Sequence, residues 1–356
     1  SSGTPVTPLI LESPNFIGTN VGCGRWDPSR PVLWAEDTFI EVNAATATGD
    51  YGLSLRHSSG SITNSELNVN CNGIDINSRK SVGNVDYSIE VISNEITTAD
   101  GSPITVFDGG LVRIVDNDLQ GADEASGISI ESSEVQIHNN DIGPIGGWNG
   151  LWMLGSFDVV AENNTIHDTA REPIRAGEYG SQSPNPQAAR IYLANNSITS
   201  DGTGSCQATK YDDWGGDFTC PAVHAYRTGV SMFDNTINIP DTGGADGIRA
   251  VGALLDIQRN TFNIPGTGAI VTNYDDGYAG SQQYGTLAFF SQNSWAGVGM
   301  TYNVTKSSIT VQSEYIPSPP PGEYPVRLLW SDQEAYPPND YQTNIRPTFV
   351  QDCANC

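Results

Sequence analysis

Basic, aromatic and titratable residues recur at one position of a short repeated strand in this sequence. The strand follows a recurring asparagine, and its middle residue is predicted to face outward because successive strand residues alternate between two sides. Arginine can neutralise a carboxylate and histidine can accept a proton near neutral pH, so this outward column could act on an anionic substrate. Along the chain the column holds Thr105, Ser129, Trp152, Arg175, His224, Arg249 and Val271.

The outward column could support two kinds of polysaccharide chemistry. If the substrate is a uronate polymer, Arg175 or Arg249 would neutralise the sugar carboxylate while His224 removes the adjacent proton. Tyr226, on the same face as His224, would protonate the leaving oxygen. Hydrolysis would instead need two carboxylates about 5 to 9 Å apart, so the sequence leaves elimination and hydrolysis both open. The candidate carboxylates are Asp212, Asp213, Asp217, Asp246 and Glu172.

Aromatic and acidic residues near the column indicate how a sugar chain would be held. Trp152, Trp214 and Tyr226 could stack on sugar rings, and Glu172 and Asp246 could accept hydrogen bonds from sugar hydroxyls. The alternative is that the two arginines and the histidine are neutralised within the protein. The acidic residues available for such pairing are Glu172, Glu178, Asp212, Asp213, Asp217, Asp246, Asp275 and Asp276.

Aspartates in glycine-rich segments form a candidate cation site. Carboxylate oxygens are the ligands that Ca²⁺ prefers, so Ca²⁺ is the expected ion, and no other cofactor is predicted. The alternative is a set of solvated turns, in which Asp and Gly are common. The predicted ligands are Asp212, Asp213, Asp217, Asp275 and Asp276.

A repeat that runs through most of the chain must position these residues. Apolar or small residues stand five and three positions before, and two positions after, a recurring asparagine. Such alternation indicates a half-buried strand, and the spacing fits one coil of a parallel β-solenoid whose turn asparagines hydrogen-bond along the stack. The asparagines are Asn72, Asn94, Asn117, Asn140, Asn164, Asn196, Asn235, Asn260 and Asn293.

The turns "NNTI" (163–166) and "NNSI" (195–198) resemble those of right-handed parallel β-helix proteins of the pectin-lyase-like kind. The resemblance covers roughly residues 35–312. It implies an all-β, single-stranded right-handed parallel β-helix of about ten coils with an asparagine ladder. Proteins with this fold include polysaccharide lyases, glycoside hydrolases, epimerases, phage tailspikes and adhesins, so the resemblance selects no single activity.

The two ends of the chain depart from the repeat. Residues 1–34 are predicted to cap the first coil, whose open strand edges would otherwise pair with another chain. Residues 313–356 are Pro-rich, and we expect an extended tail that lies on the solenoid or mediates self-assembly with a second copy. Long insertions at 177–187, 201–220 and 273–285 are expected to be loops on the binding side.

The composition indicates an extracellular or cell-surface protein. A net charge of −25, from 16 Lys plus Arg against 41 Asp plus Glu, repels phosphates, so nucleic acid is not an expected partner. No apolar stretch approaches the roughly 20 residues of a membrane-spanning helix. Six cysteines suit disulfides formed outside the cytoplasm; the candidate pairs are Cys23–Cys71 and Cys206–Cys220, and the alternative is a set of free buried thiols. Glycosylation sequons stand at Asn163, Asn195 and Asn303.

Two functions fit these patterns. The first is a secreted protein that binds and cleaves an extracellular, acidic polysaccharide by lyase or hydrolase chemistry. The alternative is a structural or adhesive subunit of a filament or cell surface without catalysis, which the Pro-rich tail and the acidic surface favour. An enzyme is expected to be a monomer or small oligomer, whereas a subunit is expected to polymerise.

Overall fold

The chain divides into two compact units, Ser1–Thr169 and Ala170–Cys356. The computed structural model describes residues 8–23, 30–77, 87–108, 110–123, 126–131, 133–155, 158–177, 190–200, 205–207, 217–239, 246–264, 266–272, 285–296, 300–305, 307–314, 328–331 and 348–349. These residues contain no helix that is long and apolar enough to span a membrane.

Each unit consists of stacked coils whose parallel strands form three sheets, which is the right-handed parallel β-helix predicted from the sequence. Sheet A contains the strands that end before the ladder asparagine, and sheet B contains those that begin after it. Sheet C contains the strands that were predicted to carry the outward column.

The first unit builds each sheet from parallel neighbours. Sheet A contains β1 (Leu9–Glu12), β4 (Phe39–Asn43), β7 (Ser59–Thr63), β10 (Ser88–Ile92), β13 (Leu111–Val115), β16 (Glu134–His138) and β19 (Val159–Glu162). Sheet B contains β2 (Asn15–Ile17), β5 (Thr46–Gly49), β8 (Glu66–Val69), β11 (Glu95–Asp100), β14 (Asp118–Asp123), β17 (Asp141–Ile145) and β20 (Thr165–Thr169). Sheet C contains β3 (Pro31–Glu36), β6 (Tyr51–Arg56), β9 (Ile74–Asn77), β12 (Ile104–Phe107), β15 (Ile128–Glu131) and β18 (Leu151–Leu154).

The second unit has the same arrangement and one additional antiparallel pair, β24 (Ser205–Gln207) with β25 (Asp217–Thr219). Sheet A contains β22 (Arg190–Ala194), β27 (Gly229–Phe233), β30 (Leu254–Gln258), β33 (Leu287–Ser291), β36 (Ser308–Gln312) and β38 (Thr348–Phe349). Sheet B contains β23 (Ser197–Ser200), β28 (Thr236–Asn238), β31 (Thr261–Asn263) and β34 (Ser294–Ala296). Sheet C contains β21 (Ile174–Gly177), β26 (Val223–Tyr226), β29 (Ile248–Val251), β32 (Thr267–Thr272), β35 (Met300–Thr305) and β37 (Leu328–Ser331).

The chain ends contribute strands to these sheets. The segment 1–34, predicted as a cap, contains β1, β2 and the start of β3, which pair with β4, β5 and β6. Within the predicted tail, β37 pairs with β35 and β38 pairs with β36.

Alternating apolar residues fill the interior of the coils. In β13, Val112 and Ile114 are fully buried while Arg113 between them is partly exposed. Complete burial of one such aliphatic side chain contributes about 1.5 to 3 kcal/mol. The same alternation recurs in β10 and β16 of the first unit and in β27 and β30 of the second, and supplies the core of each unit.

The asparagine ladder in the first unit joins consecutive coils. Asn117 Oδ1 accepts from both the backbone N–H and the Nδ2 of Asn94, each at 2.9 Å. Asn117 in turn donates both groups to Asn140 Oδ1, and its Nδ2 also donates to the carbonyl of Val91 at 3.0 Å. The ladder continues to Asn164. Each buried amide therefore satisfies the turn of a neighbouring coil.

One predicted member of the ladder was wrong. Ser65, rather than Asn72, occupies the ladder position of its coil, since its N–H donates to Asn94 Oδ1 at 2.9 Å. The strand before Asn72, β8, belongs to sheet B and pairs with β11. Apolar residues alternate with a period of two in strands of all three sheets, so this alternation does not indicate that a strand belongs to sheet A.

In the part of the chain that the structure describes, the ladder of the second unit reaches a carboxylate. It runs from Asn196 through Asn235 and Asn260 to Asn293. Glu314 occupies the next position, where Oε1 accepts from Asn293 Nδ2 at 3.0 Å and Oε2 accepts from the Trp295 indole N–H. Burial raises the pKa of Glu314 to about 7, although the hydrogen bonds from Trp295 and Asn293 oppose this rise.

The residue before each ladder position adopts a left-handed backbone. Its φ lies between 50° and 58° at the ladder positions from Ser65 to Asn164 and from Asn196 to Glu314. Asn and Asp tolerate this conformation better than other residues with a side chain, and Asn139, Asn163 and Asn195 are examples. The backbone N–H of Asn139 bonds to the Glu162 carbonyl of the next coil at 3.1 Å, and that of Asn195 bonds to the Phe233 carbonyl at 3.0 Å. The turn therefore directs the chain from sheet A into sheet B.

Sheet B of the first unit carries an exposed acidic row. Glu66, Glu95, Asp118 and Asp141 begin successive strands and are direct register partners. All four are exposed. His167 Nε2 lies 3.1 Å from Asp141 Oδ1 at one end of the row.

A disulfide and a buried carboxylate fix the N-terminal strands. Cys23 is bonded to Cys71, as predicted. Fully buried Asp50 accepts the N–H of Val21 at 2.7 Å and ion-pairs with Arg30 at 3.0 Å. Burial alone would raise the pKa of Asp50, but these contacts outweigh it and hold the pKa at about 2.

The ladder predicts a local stability penalty. Asn117→Ala removes the oxygen that accepts two Asn94 donors, and we expect the free energy of unfolding to fall by about 1 to 3 kcal/mol. The matched control is Asn68→Ala, which removes an exposed amide bonded to Glu66 and is expected to change it by less than about 0.5 kcal/mol. Urea unfolding of both variants measures the difference, and equal losses would contradict a stabilising ladder.

Glu314 predicts an unusual dependence of stability on pH. Its pKa is about 7 in the folded protein against an ordinary 4.5. The folded state therefore holds a proton that the unfolded state has released between these values, so stability falls as pH rises through this window. Relative to Glu314→Gln, we expect a loss of up to about 3 kcal/mol. Unfolding at several pH values measures it. Parallel profiles for the wild type and Glu314→Gln would disprove the titration, and the exposed Glu134→Gln serves as control.

Candidate functional site

Three residues of the predicted outward column are in register in the second unit. Arg175 on β21 pairs with His224 on β26, and His224 pairs with Arg249 on β29. The residues that flank His224, Val223 and Ala225, are buried in the coil interior, so His224 faces away from it. The sequence therefore predicted the stacking of these three side chains correctly.

The column continues differently from the prediction beyond Arg249. Its register partner on β32 is Ile270, and Val271 is fully buried. A shift of one residue exchanges the two sides of a strand. Because Ala269, Ile270 and Val271 are all apolar, alternation could not identify the outward residue here.

The outward side of this sheet is largely covered. His224 is 1% exposed and Arg249 is 3% exposed, whereas the Arg175 side chain is 29% exposed. Position on a strand indicates which way a side chain faces, but not whether another part of the chain covers it. Arg175 is therefore the residue of the three that reaches solvent to a substantial extent.

A buried carboxylate links the column residues. Glu172, which precedes β21, is fully buried. Its Oε1 lies 3.1 Å from His224 Nδ1 and 3.7 Å from Arg175 Nη1. Glu172 was predicted both as a substrate-binding residue and as an internal partner for the cations. These distances match the second role, in which Glu172 pairs with cationic or hydrogen-bonding side chains of the protein itself.

Glu172 is held in its charged form. Burial would raise the pKa of its carboxyl, but the hydrogen bond and charge of His224 and the charge of Arg175 outweigh it and hold the pKa at about 2. An ionised Glu172 favours the His224 tautomer with the proton on Nδ1. Nε2 then becomes the ring atom that can accept a proton.

Other predicted residues of the second unit surround this group. Tyr226 follows His224 on the outward side and pairs in register with Gly177 and Val251. The backbone carbonyl of Asp246 accepts from the Ala222 N–H at 3.0 Å, just before β26. Tyr226 and Asp246 are both partly exposed, although the Tyr226 hydroxyl oxygen itself is buried.

One arginine of this region was not predicted from the sequence. Arg227 directly follows β26, has a φ of 47° and is 6% exposed. Its backbone N–H donates to the Val251 carbonyl at 2.9 Å. The signal that could have found it was a charged residue directly after Tyr226, where the chain must turn.

The first unit contains the predicted platform Trp152. It pairs with Ser129 in sheet C, is partly exposed, and packs edge-on against Trp148 with ring centroids 5.7 Å apart. Two titratable residues on the same side of sheet C were missed. Burial raises the pKa of Asp75, which ion-pairs with Arg56 at 2.7 Å, and burial followed by the nearby Asp108 raises the pKa of Glu131.

Several predicted site residues lie outside the described part of the chain. Among the residues that the structure describes, no group of three or more His, Cys, Asp or Glu could hold a metal ion. The Ca²⁺ site and the stacking of a sugar ring on Trp214 therefore stay predictions. They depend on Asp212, Asp213, Trp214, Asp275 and Asp276, and on the side chain of Asp217, for which only the strand backbone is described.

The predicted pairing of Cys206 with Cys220 also stays a prediction. Cys220 is buried and disulfide-bonded, but the Cys206 side chain is outside the described part. The backbones of β24 and β25 pair antiparallel, with Cys206 opposite Phe218.

Comparisons with known proteins do not assign the chain to a family. No protein-family model matches it, and a search of curated proteins found no match. The structure is similar to that of the periplasmic alginate epimerase AlgG, at 10% identity and a TM-score of 0.45, over 85% of this chain and 77% of that one. It is also similar to the catalytic domain of a GH87 α-1,3-glucanase in complex with nigerose, at 11% identity and a TM-score of 0.39, over 92% and 62%. Similarities of this size identify neither a substrate nor a mechanism.

The contacts of Glu172 with His224 and Arg175, here called the Glu172 cluster, predict a large loss of stability when the carboxylate is replaced by a neutral group. Glu172→Gln removes the buried negative charge that pairs with Arg175 and accepts from His224 Nδ1, and we expect the free energy of unfolding to fall by about 3 to 5 kcal/mol at pH 7. The folded pKa of about 2 lies below the ordinary 4.5, so this stabilisation is present above pH 4.5 and is lost as pH falls toward 2. Chemical unfolding at pH 7 and pH 3 measures both effects.

The control is Glu90→Gln, which removes a partly exposed ion pair with Arg113. An exposed pair contributes at most about 1 kcal/mol. Similar losses in the two variants at pH 7 would show that the buried contacts of Glu172 stabilise the protein no more than an exposed ion pair does.

Proposed function

We propose that the protein binds an anionic extracellular polysaccharide on the outward side of sheet C in the second unit, and processes it by removing a proton beside the sugar carboxylate. The observation that carries this proposal is the Glu172–His224 hydrogen bond beside Arg175. A carboxylate, a histidine and a partly exposed arginine in one cluster supply an oriented base and a cation for the substrate.

Arginine supports the choice of an anionic substrate. Arg175, His224 and Arg249 stack on neighbouring strands of a protein whose net charge is −25. The guanidinium of Arg175 would bind the sugar carboxylate and stabilise the negative charge that develops there when the adjacent proton leaves.

The reaction supported by this geometry is elimination. His224 Nε2 takes the proton from the carbon next to the carboxylate, and the electrons of that bond form a carbon–carbon double bond. The glycosidic carbon–oxygen bond on the next carbon breaks, and Tyr226 donates its hydroxyl proton to the leaving oxygen. The products are an unsaturated uronate end and a new chain end.

Hydrolysis receives less support from the same cluster. A general acid must hold a proton near neutral pH, but Glu172 has a pKa of about 2 and is engaged by His224. Its role is therefore to orient His224 rather than to protonate a leaving group. The Cys23–Cys71 disulfide supports an extracytoplasmic location for this activity.

Variants of this cluster test the proposal. Purified protein is incubated with polymannuronate, polyguluronate, polygalacturonate and a neutral glucan, and the ultraviolet absorbance of unsaturated uronate is followed. Binding is measured in parallel by affinity electrophoresis. We expect turnover of a uronate polymer alone, its loss in His224→Gln with binding retained, and binding about tenfold weaker in Arg175→Ala.

Arg259→Ala is the matched control, because Arg259 is also partly exposed and ion-paired, at 2.8 Å to Asp234, but lies next to sheet A. Its binding and turnover should equal those of the wild type. Equal loss in the two arginine variants would show a nonspecific charge effect. Binding and turnover that survive in both Arg175→Ala and His224→Gln would overturn the proposal.

Burial favours a second candidate, a surface protein without catalysis. Glu172 and His224 are almost completely covered and pair with each other, which is also how a structural ion pair is built. In that case the predicted tail at 313–356 would mediate self-assembly. Filament formation that is lost on deletion of the tail, together with no activity on any glycan, would establish this alternative.

A further inference from the structure

One sequon of the second unit lies in an exposed turn beside the ladder. Asn195-Asn196-Ser197 forms the turn between β22 and β23. Asn196 faces inward and donates to Asn235 Oδ1 at 2.9 Å. Asn195 has a φ of 54° and is exposed, and so is Ser197. The ladder therefore uses the second residue of the sequon and leaves the acceptor asparagine at the surface.

Two aromatic rings lie next to this turn on the outer side of sheet A. Tyr192 on β22 and Phe233 on β27 have ring centroids 5.4 Å apart. Tyr192 is 36% exposed. The Arg259 guanidinium lies over the Phe233 ring at 5.5 Å and forms two hydrogen bonds to Asp234, at 2.9 and 2.8 Å. We call Tyr192, Phe233, Asp234 and Arg259 the aromatic platform.

The backbone brings the sequon and the aromatic platform together. Ala194 is the register partner of Phe233, and the Asn195 N–H donates to the Phe233 carbonyl at 3.0 Å. Tyr192 stands three residues before Asn195, about 10 Å along the strand. The first two sugars of a glycan attached to Asn195 can span this distance.

The chemistry of the aromatic platform suits a neutral sugar. The face of a pyranose ring that carries C–H groups packs on aromatic rings, while its hydroxyls need polar partners at the edge. Arg259 and Asp234 supply a donor and an acceptor there, and they neutralise each other. The platform therefore offers no net charge that would select an acidic sugar.

We propose that Asn195 is an N-glycosylation site, and that the aromatic platform holds the first sugars of the attached glycan. The donor required is a lipid pyrophosphate-linked oligosaccharide. Asn195 Nδ2 forms a bond to C1 of the first N-acetylhexosamine and loses one proton. The bond between C1 and the pyrophosphate oxygen breaks, and the lipid pyrophosphate leaves with the electron pair.

The first unit supplies an internal comparison. Asn163-Asn164-Thr165 forms the same kind of turn, with a φ of 57° at an exposed Asn163. In its own coil and the preceding coil, the side chains next to it are His138 and Glu162, paired at 3.5 Å. Asn163 is thus expected to be modified without a surface that holds its glycan. The third sequon, at Asn303, lies within β35, which is paired on both sides, and is not part of the proposal.

Site occupancy is the first test. The full chain is secreted from a eukaryotic host, treated with peptide N-glycosidase in ¹⁸O-water, and mapped by mass spectrometry. We expect the isotope label at both Asn195 and Asn163, and its loss at Asn195 alone in Ser197→Ala. Secreted, folded protein with Asn163 occupied and Asn195 unoccupied would overturn the proposal.

The contact with the aromatic platform is the second test. Native glycoprotein is digested with an endoglycosidase, and we expect the glycan at Asn195 to be released about fivefold more slowly than that at Asn163, the factor that one ring contact of ordinary strength gives. Tyr192→Ala and Phe233→Leu should remove the difference. The second variant keeps an apolar side chain, so it separates loss of the ring from loss of packing.

The control for both ring variants is Phe39→Ala, an aromatic residue of similar exposure, 40%, on sheet A of the first unit. It should leave the difference between the two sites unchanged. Equal release at Asn163 and Asn195 in the wild type would show that the platform does not hold the glycan. None of these measurements depends on binding or turnover of a free polysaccharide.

Discussion

Hydrogen bonds between stacked asparagines are the interaction on which the rest of this structure depends. Asn140 Oδ1, for example, accepts two donors from Asn117 of the neighbouring coil, and Asn117 Nδ2 also reaches the carbonyl of Val91 on an adjacent strand. The amide thereby fixes the distance between coils and the point at which sheet A ends. Because this point is the same in each coil, the residues that follow it begin their strands in register.

The fold could be predicted because its two signals are local. Apolar alternation identified strands, and a turn asparagine identified the coil length. Ladder positions that depend on contacts with a neighbouring coil could not be predicted. Ser65 and Glu314 occupy ladder positions although neither is an asparagine. Asn72 follows the expected apolar pattern, but the strand before it belongs to sheet B. A serine hydroxyl and a carboxylate can accept the same hydrogen bonds as an amide oxygen, so the interaction persists where the residue type does not.

The sequence predicted which side chains of the candidate site stack on one another, but not how deeply they are buried or what they contact. The stacking of Arg175, His224 and Arg249 follows from strand register, which the sequence pattern encodes. The burial of His224 and the role of Glu172 depend on which segments cover the sheet, and no local pattern reports that. For the same reason Glu172 was assigned two opposing roles from the sequence, and its 3.1 Å contact with His224 distinguishes them.

The acidic row of the first unit gives the protein a local polyelectrolyte character. Four carboxylates, Glu66, Glu95, Asp118 and Asp141, lie on adjacent strands, which places one charge about every 4.8 Å. At that separation, neighbouring charges repel by about 1 kcal/mol even in water. The folded chain therefore gathers counterions along this line that an unfolded chain would release, so added salt favours folding through ion uptake. Stacking equivalent positions of successive coils therefore brings like charges close together in the same way that it brings the ladder amides close together.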